Sequence, residues 1–252
     1  MLTVLLAVLF ARFASAPLPG VAQGTSVPWR VGEQLVYGGS YRVVVPISIG
    51  KISTLSVAGI DTIGGMPAWK FSLITDISVP LYHNHSELLS WTGVNDFVSR
   101  RFVDRVHESH YDRDDDFAIR ADSGFYTNHG DTNRHATPSK PLDDLAFIYF
   151  LRLPSTPLQP GKTYKLPRYF RDDRNPVLIN VLDREPCKLP GGNQTMCLVI
   201  WPVVEDPPHG MFMSGKNARI WMTDDSLRLP VQIQSGSYTL LLRQVILPQR
   251  AP

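Results

Sequence analysis

Cysteine is scarce: Cys187 and Cys197 are the only two in 252 residues. Two thiols do not make a zinc site, and neither is close enough to the N-terminus to support a lipid-anchored lipoprotein. An excess of one charge is missing too, since 25 Lys and Arg face 23 Asp and Glu. That balance gives no electrostatic argument for nucleic acid, and no basic stripe with interleaved aromatics is present. No apolar run reaches the ~20 residues that cross a bilayer as a helix. The sequence contains no G-x-S-x-G, no P-loop, no H-E-x-x-H and no dinucleotide-binding fingerprint. No internal repeat or low-complexity linker divides it. One large domain, residues 23–252, is the economical reading, because β sandwiches and barrels run to roughly 200–250 residues.

What is present begins with an export signature. Leu2 to Ala11 form an apolar run of ten residues, which fits the ~7–15 residues of a signal-peptide core. Ala14-Ser15-Ala16 has the small-x-small form, but Pro17 follows it. Gly20-Val21-Ala22 is the preferred cleavage site, giving a signal peptide of residues 1–22 and a mature start at Gln23. No basic residue precedes the run and Arg12 interrupts its end. A start further upstream, or retention of the segment as a short anchor, therefore stays open. Without Arg12 the mature chain carries 24 basic and 23 acidic side chains. The expected location is the periplasm, close to the membrane but with no spanning helix after cleavage.

The 21 prolines favour many short strands over long helices. Strand signals recur at Leu35–Tyr37, Tyr41–Ile49, Ile52–Ile60, Trp69–Ile77, Phe97–Val106, Phe117–Arg120, Thr163–Leu166, Val177–Leu182, Met196–Val204, Arg219–Thr223, Val231–Ser235 and Tyr238–Leu247. Apolar and polar residues alternate in several of them, as in half-buried strands. Asp112 to Asp116 reads as a charged turn and Gly124 to Lys140 as a loop. One helix is expected at Leu142–Arg152, with Pro141 before it, Asp143 and Asp144 in its first turn and Pro154 after it. Its apolar face, Leu142, Leu145, Ile148 and Tyr149, is widened by Phe147 and Phe150, so it is expected to be buried against a sheet. The fold class is all-β: an antiparallel sandwich or half-open barrel of many short strands with one buried helix.

Few residues suggest chemistry. Pro190-Gly191-Gly192-Asn193 is strong turn sequence between the two cysteines, so Cys187 and Cys197 are expected to face each other across a hairpin and form a disulfide in an oxidising compartment. His83, His85 and Glu87 recur with period two. On a strand they share a face, and two His with one carboxylate is a donor set for zinc or iron. The acidic run at Asp112 lacks the glycine and distal glutamate of an EF-hand.

Several short motifs occur in a recognisable order: Pro28-Trp29, Gly32-Glu33, Leu35-Val36-Tyr37, then Pro160-Gly161 and Tyr164. Near the end come Gly215, Ile220-Trp221, Asp224-Asp225, Arg228, Leu229-Pro230-Val231 and Gly236-Ser237. Together, from Val27 to Leu242, they resemble a family of bacterial exported proteins, the domain of unknown function 3108 (DUF 3108). The resemblance implies an exported, all-β chain with no assigned reaction. It also implies that Gly32, Glu33, Tyr37, Trp221, Asp224, Asp225 and Pro230 hold the fold. Trp221 is expected in the core.

Three functions remain open. The first is a non-catalytic periplasmic binding or accessory protein with an apolar or lipid-like ligand in the mouth of a half-open barrel. The second is a structural subunit docked on the periplasmic face of a membrane protein complex. The third is a metal-dependent or hydrolytic enzyme using His83, His85 and Glu87. The absence of short catalytic motifs favours a protein that is not an enzyme, and no cofactor is implied.

Overall fold

The structure, a computed structural model, describes residues 16–17, 27–42, 46–79, 82–203, 218–235 and 238–248. Among the described residues the chain is all-β with one α-helix. Two meanders make the sheet. The first is β2 (Gln34–Arg42), β3 (Pro46–Ile63), β4 (Met66–Val79), β5 (Tyr82–Gly93), β6 (Ser99–Glu108), β7 (Tyr111–Arg120), β8 (Phe125–Asn128) and β9 (His135–Ala136). The second is β10 (Lys162–Leu166), β11 (Val177–Lys188), β12 (Gln194–Val203), β13 (Arg219–Thr223), β14 (Pro230–Ser235) and β15 (Tyr238–Ile246). Because β15 pairs with β2, the meanders fuse into one antiparallel sheet of 14 strands with β9 and β10 at its two ends. Among the described residues no ladder joins those ends, so the sheet is open, not a closed barrel. A two-residue strand β1 (Ala16–Pro17) adds to β10 in parallel. It lies inside the expected signal peptide, whose remaining residues are outside the described ones.

Strand lengths exceed the expected rhythm. β3 runs for 18 residues and β4 for 14. Register shifts at Tyr37/Gly38, Gly38/Gly39 and Val57/Gly59 interrupt their ladders. Such bulges increase local bend and twist, which lets long strands curl.

The chain crosses from one end of the sheet to the other through α1 (Asp144–Arg152). Asp143 caps it, its Oδ1 accepting hydrogen bonds from the backbone N–H groups of Leu145 and Ala146 at 3.0 and 2.9 Å. The helix thus starts two residues later than expected. All nine of its residues are buried. A surface helix buries one stripe; this one is wrapped by the concave face of the sheet, packing against β4 and β5. Tyr149 stacks on Phe71 of β4 at 3.7 Å and 11°, and Trp29 meets Tyr149 edge-on at 5.1 Å.

Two stretches read as irregular are strands. Asp112–Asp116 lies within β7, the turn falling just before it. Its acids are matched across the sheet: Asp114 accepts from Arg105 at 2.9 Å and Asp116 from Arg101 at 2.6 and 2.9 Å. Cross-strand opposite charges favour strand pairing, and without those partners in view the acids have the composition of a turn. Residues 124–140 likewise contribute β8 and β9.

Candidate functional site

The concave face is filled by α1 over part of its length. Beyond the helix it leaves a cavity of ≈ 220 Å³. Strand alternation decides which side chains enter it. From β4 come Leu73, Thr75 and Ile77; from β5, Asn84, Ser86 and Leu88; from β6, Asp104, Val106 and Glu108. Each set has period two, as one face of a strand must. Ile52 and Ser53 of β3, Arg113 of β7, Ile233 and Ser235 of β14 and Leu240 of β15 complete the wall. Seven of the lining side chains are aliphatic and eight are polar; the charged ones come from β6 and β7, and the uncharged polar ones are spread over β3, β4, β5 and β14.

Those polar groups are incompletely satisfied. Arg113 Nη2 donates to Asp104 Oδ2 at 2.7 Å, and Asn84 Nδ2 donates to Glu108 Oε1 at 2.6 Å. Asp104 Oδ1, Asn84 Oδ1 and Arg113 Nε are buried without a hydrogen-bond partner. Asp104 is 5% exposed. Burial pushes its carboxyl above the usual carboxylate range, against the opposing pull of Arg113 and Arg171. Buried polar atoms are nearly always paired, and an orphan costs ~1–3 kcal/mol. Three such atoms belong to residues that line this one cavity.

The opposite parity of the same strands points to the convex face, and His83, His85 and Glu87 lie there. The strand and the shared face expected for them are present, but a common site is not. His83 Nδ1 is 3.0 Å from Ser78 Oγ, His85 Nδ1 is 3.4 Å from Asp76 Oδ2, and Glu87 accepts from Arg105 at 3.0 Å. Among the described residues no group of three His, Cys, Asp or Glu side chains is placed to hold a metal ion. Period two fixes a common face but spaces alternate residues ~6.5–7 Å apart along the strand, and here each side chain turns to a neighbour on the next strand.

The family motifs converge elsewhere, on the C-terminal end of α1. Arg152 in its last turn forms a two-pronged pair with Glu33 at 2.6 and 3.1 Å. Tyr37 donates to the carbonyl of Pro230 at 2.7 Å, and burial pushes its phenol pKa up, so it remains a donor. Gly32 has φ +89°, a conformation suited to glycine, and its N–H reaches Val57 O at 2.8 Å. Asp225 Oδ1 accepts from the N–H groups of Leu227 and Arg228 and from Thr223 Oγ1, shaping the β13–β14 turn. That turn aims Arg228 Nη1 at the carbonyls of Leu151, Leu153 and Thr156, where the helix leaves carbonyls unpaired. Asp224 pairs with Arg184 at 2.6 Å. Trp221 departs from expectation. Ile220 and Met222 are fully buried, whereas Trp221 is half-buried on the other face of β13, its indole N–H donating to Glu185 at 3.2 Å. Alternation allows one face of β13 into the core, and Ile220 and Met222 occupy it.

Cys187 and Cys197 form a disulfide, with Cα atoms 5.8 Å apart. They sit diagonally across the β11–β12 hairpin, Cys187 opposite Thr195 and Cys197 opposite Glu185. Gly191 and Gly192 both take φ +88° in its turn. No helix among the described residues is long and apolar enough to cross a membrane.

Fold and cavity define a barrel-like open β protein that curls around one helix and keeps a pocket in its concave face. The chain belongs to the family described as "Protein of unknown function (DUF3108)", whose model matches residues 37–243. It is also similar to the crystal structure of a beta-barrel-like protein of domain of unknown function DUF1849 from Brucella abortus. That likeness covers 88% of this chain and 99% of that one, at a TM-score of 0.52 and 8% identity, and it shows the fold alone. No curated protein matches the chain.

Proposed function

We propose that this is a non-catalytic, periplasmic binding protein of the bacterial envelope that holds an apolar, lipid-like ligand in the cavity between β3–β7 and β14–β15. The observation that carries the reading is the cavity itself: seven aliphatic side chains interleaved with small polar ones, and the charged groups confined to β6 and β7, a make-up that suits an amphiphilic ligand. Its ≈ 220 Å³ lies below the ~300–1,000 Å³ of sites for drug-sized ligands, so it suits one chain or ring and not a two-chain lipid. The disulfide supports an oxidising compartment, and the apolar run at Leu2–Ala11 supports export.

The test is to purify the protein natively from the envelope, sequence its N-terminus and extract it for mass spectrometry. A mature start at Gln23 and a co-purifying single-chain amphiphile are expected. Titration with N-phenyl-1-naphthylamine should give saturable fluorescence that Ser86→Phe, which fills the cavity, removes without lowering the melting temperature by more than a few degrees. Intact Met1 in the cytosol sinks the location, and probe binding unchanged by Ser86→Phe sinks the pocket. A stable complex with a membrane protein, and no amphiphile, would favour the docked-subunit function instead.

A further inference from the structure

The cavity's unpartnered atoms also select the ligand's head group, an inference that rests on the pocket described above. Asp104 and Asn84 line the cavity and are 5% and 9% exposed. Each has one oxygen without a donor. The orientation of the Asn84 amide is fixed by chemistry, because its nitrogen must face the Glu108 carboxylate that accepts from it at 2.6 Å. Its Oδ1 is therefore a true acceptor. Asp104 Oδ2 is taken by Arg113 at 2.7 Å, which leaves Oδ1 as the second. Against these two acceptors stands a single unmet donor, Arg113 Nε.

The local charge agrees. Glu108 and Arg113 line the cavity with Asp104, while Asp115, opposite Asp104 on β7, and Arg171 act on its carboxyl from outside the lining. Three carboxylates against two guanidiniums give a formal charge of −1. Asp115 is also occupied, its Oδ1 accepting from Asn128 Nδ2 at 2.7 Å. A ligand carboxylate or phosphate would add negative charge to a desolvated site and leave both acceptors unmet.

We infer that the pocket takes a single-chain amphiphile whose head donates hydrogen bonds, an amine, amide or hydroxyl, and discriminates against a carboxylate head. The apolar segment lies along Ile52, Leu73, Ile77, Ile233 and Leu240, and the head sits between Asp104 and Asn84. Asp104 is the specificity residue, and Arg113 holds it in place.

The experiment uses the mature protein, freed of bound lipid, and three probes that differ only in the head: decan-1-ol, decylamine and decanoate. Each is titrated calorimetrically below its micelle concentration at neutral pH. Decylamine and decanol should bind, with decanoate at least tenfold weaker. Asp104→Asn should weaken decylamine about tenfold while moving decanol by less than about threefold, so the amine's advantage over decanoate collapses. Its fold is checked by its circular dichroism and by retained decanol binding. Decanoate binding as tightly as decylamine to the unmodified protein overturns the head-group assignment and leaves the pocket standing. If none of the three probes binds, the pocket reading falls and the head-group assignment falls with it.

Discussion

Arg152 and Glu33 meet in the interior, the guanidinium donating to both carboxylate oxygens at 2.6 and 3.1 Å, with the two side chains 0% and 2% exposed. The pair ties the last turn of α1 to the start of β2. Its Arg also lies over Trp29, 5.6 Å from the ring centre. Removing one partner strands the other charge without water, which typically costs ~3–5 kcal/mol, whereas replacing both with apolar groups is often neutral. Arg152→Met is expected to lose that much unfolding free energy, read as a lower denaturant midpoint, and Glu33→Leu with Arg152→Met to recover at least half of the loss. Equilibrium urea melts of the unmodified protein, the single variant and the double variant check this. A double variant no better than the single one would place the pair's value in its geometry and not in charge compensation.

Asp143 makes stability depend on pH in an unusual direction. It is fully buried, and desolvation pushes its carboxyl up to about 6 even though Ala146, Ser90, Ser99 and Leu145 hydrogen bonds pull it down. In the unfolded chain it titrates near ~3.9. Between about pH 4 and pH 6 the folded protein therefore holds more protons than the unfolded one, and this group's contribution falls as pH rises through that window. Two units correspond to about 3 kcal/mol. Asp104, also raised by burial, acts in the same direction, whereas the lowered carboxyl of Asp116 matters only at more acid pH. Melts at pH 5 and pH 7 should show Asp143→Asn gaining relative to the unmodified protein at the higher pH. Equal differences at both pH values would show that Asp143 is not neutralised in the window.

Cleaving the Cys187–Cys197 bridge opens a short hairpin loop. Closing a loop of about ten residues is worth ~2–3 kcal/mol in the chain-entropy account. The double variant Cys187→Ser, Cys197→Ser should lose about that much stability. Tryptic digests without reductant should yield one linked peptide pair from protein taken from the envelope, and free thiols on both residues there would contradict an oxidised native state.

The two faces of β13 should respond unequally to truncation. Ile220 is fully buried, and Ile→Ala in such a setting costs ~2–5 kcal/mol. Trp221→Ala, on the half-buried outer face, should cost less, about 1–2 kcal/mol, through lost packing and the Glu185 hydrogen bond. Thermal melts of both variants decide the order, and a Trp221 variant more damaged than the Ile220 variant would reverse the assignment of faces.

Local chemistry in the sequence determined a good deal. The glycines at 191 and 192 and the cysteines around them specify a bridged hairpin, because the turn and the short span leave few other arrangements. Alternation at Trp69–Ile77 specifies a strand, and the proline and acids before Leu145 specify that a helix starts among them, to within two residues. What the sequence alone did not decide was direction and partnership. Period two says that His83, His85 and Glu87 share a face; only the curl of the sheet puts that face outside and the Asn84, Ser86 and Leu88 face around the cavity. Asp112–Asp116 lies in a strand in which Asp114 and Asp116 pair with Arg105 and Arg101 of β6, a relation invisible in a linear window. The all-round burial of α1 and the meeting of Glu33 with Arg152, 119 positions apart, follow from the sheet closing around the helix. The pocket draws on residues from Ile52 to Leu240, and no local pattern encodes such a site, since its walls come together only when β15 returns to pair with β2.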